Sequence, residues 1–147
     1  MNKMQGTSVA LVNSAGEVLL CLRDDIPEIP FPGKWDLLGG HLEPGEEPLT
    51  CIRREISEEL IDAVTGEPVR LAGPALFKRY DLADRVEWMH WERFDKPVDE
   101  LILTERTRLE RFSYERVAAT PEGEFAFGFK PLLVEFFEAR PFDRPPL

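Results

Sequence analysis

The chain has 147 residues, 18 Lys and Arg against 28 Asp and Glu, and a formal net charge of −10. With 43% apolar and 31% charged residues, it has the composition of one globular domain whose core needs no disulfide support. The acidic balance argues against a surface that grips long nucleic acid or anionic lipid, since both need clustered cations. A small phosphorylated ligand fits only where a metal supplies positive charge.

In chain order, Thr7 to Asn13 and Val18 to Leu22 are short apolar runs rich in β-formers. The turn residues Ser14, Ala15 and Gly16 between them make the pair a hairpin. Arg23 to Lys34 carries Pro27, Pro30, Pro32 and Gly33 and reads as a long ordered loop. Trp35 to Leu38 is extended and leads to Gly39 and Gly40. Pro48 to Ile61 is the clearest helix: Pro48 suits its first position, Glu47 stands as a poor cap, and Leu49, Ile52, Ile56 and Leu60 form one buried stripe. Pro68 to Phe77 and Val86 to Phe94 read as strands joined by a turn at Asp81 to Arg85, and Leu101 to Leu103 as another short strand. Ser113 caps a brief helix to Ala119. Pro131 to Ala139 is a terminal helix, followed by a proline-rich tail over residues 140–147. The expected fold is a single α+β domain over residues 1–147, a mixed β-sheet packed between helices.

Cys21 and Cys51 have no partner at metal-ligand spacing and read as buried, reduced thiols. Met1 to Gly6 lacks the apolar core of a secretory leader, and no apolar run approaches the roughly 20 residues of a membrane span. A cytoplasmic protein with no membrane contact is the expectation.

On the helix, Glu55, Glu58 and Glu59 fall within one arc, beside the apolar stripe. Carboxylates at these spacings have Cβ atoms about 5–6 Å apart. At that range two charges repel by roughly 3 kcal/mol at an effective dielectric near 20, and far less in open water. Residues 46–62 hold six acids and two bases. Such a face is either simply solvated, with an Arg54–Glu58 helix pair, or lines a cleft where protons or a divalent cation relieve it. Gly39 and Gly40 just upstream favour the cleft, because glycine lets the backbone approach a metal or phosphate closely. Oxygen-only ligands suit Mg²⁺ or Mn²⁺.

The run GGHLEPGEEPLTCIRREISEEL, about a sixth of the chain, resembles the signature of the Nudix hydrolases. Gly40, Glu46, Arg54, Glu55, Ile56, Glu58 and Glu59 fall in place. Ile61 and Asp62 stand where the family has Gly and an aliphatic residue, and Leu38 replaces a common Pro. The resemblance implies an α/β/α sandwich and a MutT-like pyrophosphohydrolase that uses Mg²⁺ or Mn²⁺ on a nucleotide diphosphate derivative. Nucleoside triphosphates, nucleotide sugars and dinucleoside polyphosphates all stay open as substrates, and a non-catalytic nucleotide sensor is the rival. By the family pattern Glu55, Glu58, Glu59 and the Gly39 carbonyl hold the metal, Arg54 orients a ligand carboxylate, and Glu46 does likewise or joins the metal shell. The base that deprotonates water is Glu55 or, from a later loop, Glu105. Family members are often dimers, which makes a homodimer an expectation too.

His41 follows the glycines, within reach of phosphate. His90 reads as structural. Phe31, Trp35, Tyr80, Trp88 and Trp91 are candidate base-stacking residues and equally ordinary core residues; Phe31 and Tyr80 are the first choices for the substrate pocket. Lys78, Arg79 and Arg85 are candidate phosphate or sugar contacts.

Overall fold

The computed structural model describes residues 3–143. Expectations for residues 1–2 and for the tail over residues 144–147 lie outside the described residues. β1 (Met4–Val12) and β2 (Val18–Leu22) are antiparallel neighbours with Val12 opposite Val18. The turn between them closes as expected, with Asn13 Oδ1 accepting from the amides of Ala15 and Glu17.

Beyond that turn the two strands take different partners. β1 pairs antiparallel with β4 (Leu38–His41), which sets Gly6 opposite His41 and Ser8 opposite Gly39. β2 pairs with β3 (Trp35–Asp36) and with β9 (Arg108–Phe112). On its other side β1 runs parallel to β7 (Arg85–Arg93), which pairs antiparallel with β6 (Ala75–Asp81). These seven strands form one mixed sheet, and β5 (Leu60–Asp62) with β8 (Leu101–Leu103) forms a small second one.

Alternation along β1 and β2 serves two cores. Val9, Leu11, Leu19 and Cys21 pack with Ile52 and Ile56 of α1 (Pro48–Glu59). Ala10, Val12 and Leu20 pack with Phe112, with Val117 of α2 (Tyr114–Ala119), and with Leu133 and Phe136 of α3 (Phe129–Ala139). Helices cover both faces, which is the expected sandwich.

Several boundaries differ from the sequence expectation. α1 starts at Pro48 with Glu47 as a cap that makes no side-chain bond, as expected, but it ends at Glu59. Residues 60–62 leave the helix because they pair with β8, with Leu60 opposite Leu103. Leu49 is 42% exposed and drops out of the buried stripe, its place taken by Cys51. β6 begins only at Ala75. Pro68 and Pro74 lack ladder donors, and the Glu92 carboxylate takes the amides of Ala72 and Gly73 at 3.0 and 2.7 Å. α2 has its Ser113 cap, whose Oγ accepts from the Arg116 amide. α3 begins two residues early, at Phe129, and after it Pro141–Asp143 forms a short helical turn that buries Phe142. Cys21 and Cys51 are free and buried. Among the described residues, no helix is long and apolar enough to cross a membrane.

Candidate active site

A cavity of about 560 Å³ opens beside β1 and β4, between α1 and the loops that carry Phe31, Glu105 and Phe127. Its acidic part is built by α1 against the two glycines. The stripe of Ile52 and Ile56 fixes the rotation of the helix, and this turns Glu55 and Glu59, one turn apart, into the cavity. Position 39 must be glycine, since a Cβ there would lie 2.0 Å from the Thr7 carbonyl oxygen. At position 40 a Cβ would lie 2.3 Å from the Glu55 carboxyl carbon. The two glycines bring β4 flat against β1 and make room for a carboxylate.

Glu59 is buried, and Arg106 Nη1 lies 2.6 Å from its Oε2. Burial raises its pKa, Arg106 opposes the rise, and the neighbouring Glu55 carboxylate adds to it. Asp36, also buried, takes Arg23 Nη1 at 3.0 Å and Arg106 Nη2 at 3.8 Å. Burial raises its pKa and the two guanidinium groups work against the rise.

Behind Glu55, Arg54 is held in a fork by Glu46, with Nε to Oε2 at 2.8 Å and Nη2 to Oε1 at 3.0 Å. Its Nη1 donates to Glu55 Oε1 at 3.1 Å and to Glu58 at 3.3 Å. The Arg54 hydrogen bond draws the Glu46 carboxyl down to about 2.

The other part of the cavity is aromatic. Phe31 and Phe127 place their rings 4.7 Å apart, and both backbones are in the left-handed region, at φ 53° and 54°. Non-glycine residues adopt that region at a cost and are concentrated at ligand sites. The Arg23 guanidinium lies 5.1 Å from the Phe127 ring centre, and Arg85 Nη2 donates to the Phe127 carbonyl.

The cavity thus brings together Gly39, His41, Glu55, Glu59, Glu105 and Phe31. Glu46, Arg54 and Glu58 do not line it; they form the ionic cluster behind it, where the Glu58 side chain is 57% exposed. Tyr80 is elsewhere: it points to α3 and donates its hydroxyl to Glu135, which Lys78 also pairs. Its strand alternation turns it to the helix layer, so it does not reach the cavity. The backbone carbonyl of His41 accepts from Arg54 at 3.5 Å. Trp35 and Trp91 belong to the α3-side core, and Trp88 donates to Gln5. Arg79 lies over the Trp88 ring, and of the three candidate cations only Arg85 lines the cavity. His90 is buried against Thr7 and Ser8.

Sequence reasoning missed Asp36, Arg106 and Phe127. Asp36 left one signal, a charge between the apolar Trp35 and Leu37. Arg106 left none, because its carboxylate partner is 47 residues away.

The NUDIX domain family model matches residues 2–133. The chain belongs to the NUDIX family. Among curated relatives, the nucleoside triphosphatase NudI of Escherichia fergusonii is 48% identical over 52 residues, 35% of this chain and 36% of that protein. The NudI of Escherichia coli O1:K1 is 48% identical over 50 residues, 34% and 35% of the two chains. The matched part thus spans about a third of the length of these relatives. A NUDIX hydrolase from Nitrosomonas europaea aligns with TM-score 0.72 at 22% identity, covering 100% of this chain and 77% of that one. The NUDIX domain of Shewanella oneidensis NrtR, complexed with ADP ribose, aligns at 0.70 and 16% identity, covering 95% and 89%. At these identities the structural likeness shows the NUDIX fold.

NUDIX hydrolases generally use divalent metals. Among the described residues no three acidic, histidine or cysteine side chains form a closed metal cage. Two adjoining carboxylates, Glu55 and Glu59, with the Gly39 backbone in the same cavity nevertheless fit a hard cation such as Mg²⁺. Mg²⁺ commonly takes one or two carboxylates and completes its shell with water and substrate phosphate.

Proposed function

We propose that this chain is a divalent-metal-dependent pyrophosphohydrolase that cleaves a nucleoside diphosphate linked to another moiety. The observation that carries this reading is the seating of Glu55 and Glu59 side by side in a cavity against Gly39 and Gly40. Two carboxylates held together out of bulk water repel each other, and a pyrophosphate added to them is repelled again. Mg²⁺ or Mn²⁺ reverses that field and, when bound, supplies charge neutralisation of the phosphate oxygens and acidification of a water.

Glu55, Glu59 and the Gly39 carbonyl would hold the ion, and Glu58 would join them on leaving Arg54. Arg54 fixes the Glu55 carboxylate through the fork to Glu46. Glu105, exposed at the cavity wall, receives the proton of the attacking water as its oxygen bonds to phosphorus and the bridging P–O bond breaks; Glu55 is the alternative acceptor. Phe31 and Phe127 provide the apolar faces on which a base stacks. His41 lies at the same wall, within reach of phosphate.

Nucleoside triphosphates come first among the substrate classes, because the curated relatives carry that activity in their name; nucleotide sugars and dinucleoside polyphosphates follow. The acidic chain suits a small soluble nucleotide in the cytoplasm better than long nucleic acid. A second reading, a nucleotide sensor without turnover, draws on the ADP-ribose complex of the NrtR domain. Glu58 and Glu59 both being present favours hydrolysis.

The test is a nucleotide panel assayed with Mg²⁺ or Mn²⁺, in the native chain and in Glu55→Gln, Glu58→Gln and Glu59→Gln. Turnover of one class, reduced at least about a hundredfold in the cavity-facing variants Glu55→Gln and Glu59→Gln, supports the proposal. Full turnover in both refutes Glu55 and Glu59 as the site, no turnover of any class in the native chain refutes the hydrolase, and saturable binding without turnover establishes the sensor.

A further inference from the structure

Residues 104–107 connect β8 to β9 and are tied down at both ends. Thr104 donates its amide to the Glu59 carbonyl at 3.0 Å and its hydroxyl to the Glu58 carbonyl at 2.7 Å. Thr107 donates its amide to the Leu22 carbonyl and its hydroxyl to Asp24, both at the root of the long loop that carries Phe31. The segment is therefore a strap from the end of α1 to that loop. In its middle, successive residues diverge. Glu105 is exposed at the cavity wall, while the Arg106 side chain turns inward, only 16% exposed, and spans Glu59 at 2.6 Å and Asp36 at 3.8 Å.

We propose that Arg106 is a positioning residue that locks Glu105 and Glu59 into one fixed geometry across the cavity. The inference rests on the roles assigned above to those two carboxylates. Glu105 makes no hydrogen bond of its own among the described residues, so its place depends on the strap. Among the described residues, the one side-chain anchor of the strap to a cavity carboxylate is the planar guanidinium of Arg106, whose fork of donors reaches two acids at once. Asp36 holds the far side of that guanidinium and is itself held by Arg23, whose Nε donates to the Pro30 carbonyl beside Phe31. The Glu59 carboxylate and the strap cannot shift independently while this chain of contacts stands.

The experiment compares the native full-length chain with Arg106→Met, Arg106→Lys, Glu105→Gln and the Arg106→Met/Glu105→Gln double variant. The probes are Mg²⁺ with an equimolar nucleoside triphosphate mixture at saturating concentration, and amide hydrogen exchange on the metal-free protein. Arg106→Met is expected to slow turnover about 10- to 100-fold, the range for a residue that orients an active group. Arg106→Lys is expected to recover only part, since an ammonium is a point charge and does not span both acids. The double variant is expected to lose less than the product of the two single losses, because the part of the Arg106 effect that passes through Glu105 is already gone while the part that passes through Glu59 remains. The Thr104 and Thr107 amides, the two of the strap that are hydrogen-bonded, are expected to exchange at least about tenfold faster in Arg106→Met, with those of Val9 and His90 unchanged.

Multiplying losses, full rescue by Lys, or unchanged exchange in the strap would each overturn the proposal. If Arg106→Met loosens the whole fold, so that Val9 and His90 also exchange faster, the same criteria are applied to Arg106→Lys and its double variant with Glu105→Gln. Glu59→Gln separates the two levels. Full turnover in that variant and in Glu55→Gln removes the assignment of the two cavity carboxylates on which the proposal rests, whereas its loss, combined with multiplying effects at Arg106 and Glu105, removes only the positioning role.

Discussion

The Glu55 carboxylate occupies the space that any side chain at position 40 would need: a Cβ built there lies 2.5 and 2.6 Å from its two oxygens. One methyl group at Gly40 must therefore push the acid out of place. Gly40→Ala is expected to cut turnover by about a hundredfold, the cost of misplacing a reacting group by roughly 1 Å. Gly73→Ala, whose Cβ would meet nothing within 4 Å, serves as the control. Steady-state rates and melting temperatures of both variants decide the matter.

Arg54 holds Glu55 from behind and is itself held bidentately by Glu46. Arg54→Lys keeps the charge but not the fork, so it is expected to lose about 10- to 100-fold in turnover with little change in KM. A variant with native rates would show that Glu55 needs no such support.

The aromatic part of the cavity predicts a different signature. Phe31→Ala and Phe127→Ala are expected to raise KM by about tenfold or more, in line with stacking worth ~1–3 kcal/mol per base, while kcat changes little. Tyr80→Phe is expected to leave both constants unchanged, because that hydroxyl serves Glu135 on the far side of the sheet. Kinetics with one nucleotide across the three variants test this.

His90 controls part of the acid stability. Its Nδ1 lies 3.1 Å from Thr7 Oγ1 and 3.2 Å from the Ser8 carbonyl, and burial holds its pKa below the usual 6.5. The unfolded chain then binds the proton more readily than the folded one, so stability is full above pH 6.5 and is lost as pH falls from there through the folded value. Urea midpoints measured from pH 8 to pH 5 are expected to fall less steeply in His90→Gln than in the native chain below pH 7. Parallel curves would contradict the assignment.

The helix stripe offers a check on packing alone. Ile56 is fully buried and Leu49 is 42% exposed. Ile56→Ala is expected to cost about 2–5 kcal/mol of unfolding free energy, and Leu49→Ala no more than about 0.5 kcal/mol. Denaturant titration measures both.

Much of the fold is legible because its cues are short-range. The hairpin before Val18, the Ser113 cap and the run of α1 each depend on residues within a few positions of one another. β9 escaped notice for the opposite reason. Arg108, Glu110 and Arg111 make it look like a loop, yet Arg108 and Glu110 pair with each other, and Arg111 donates to four backbone carbonyls, including that of Leu11. Those acceptors are contributed by distant segments, so no local pattern announces them.

The candidate site divides along the same line. The spacing of Glu55, Glu58 and Glu59 behind two glycines is a helical repeat, and a repeat is visible in any linear string. Which of the three carboxylates faces the cavity is not. It depends on how β4 lies against β1 and on where the strap returns, and these bring Arg106 to Glu59 across 47 residues and Tyr80 to Glu135 across 55. Rotation about the helix axis is settled by what packs on its other side, so the chain order names the acids and the packing of β1, α1 and the 104–107 strap assigns them their places.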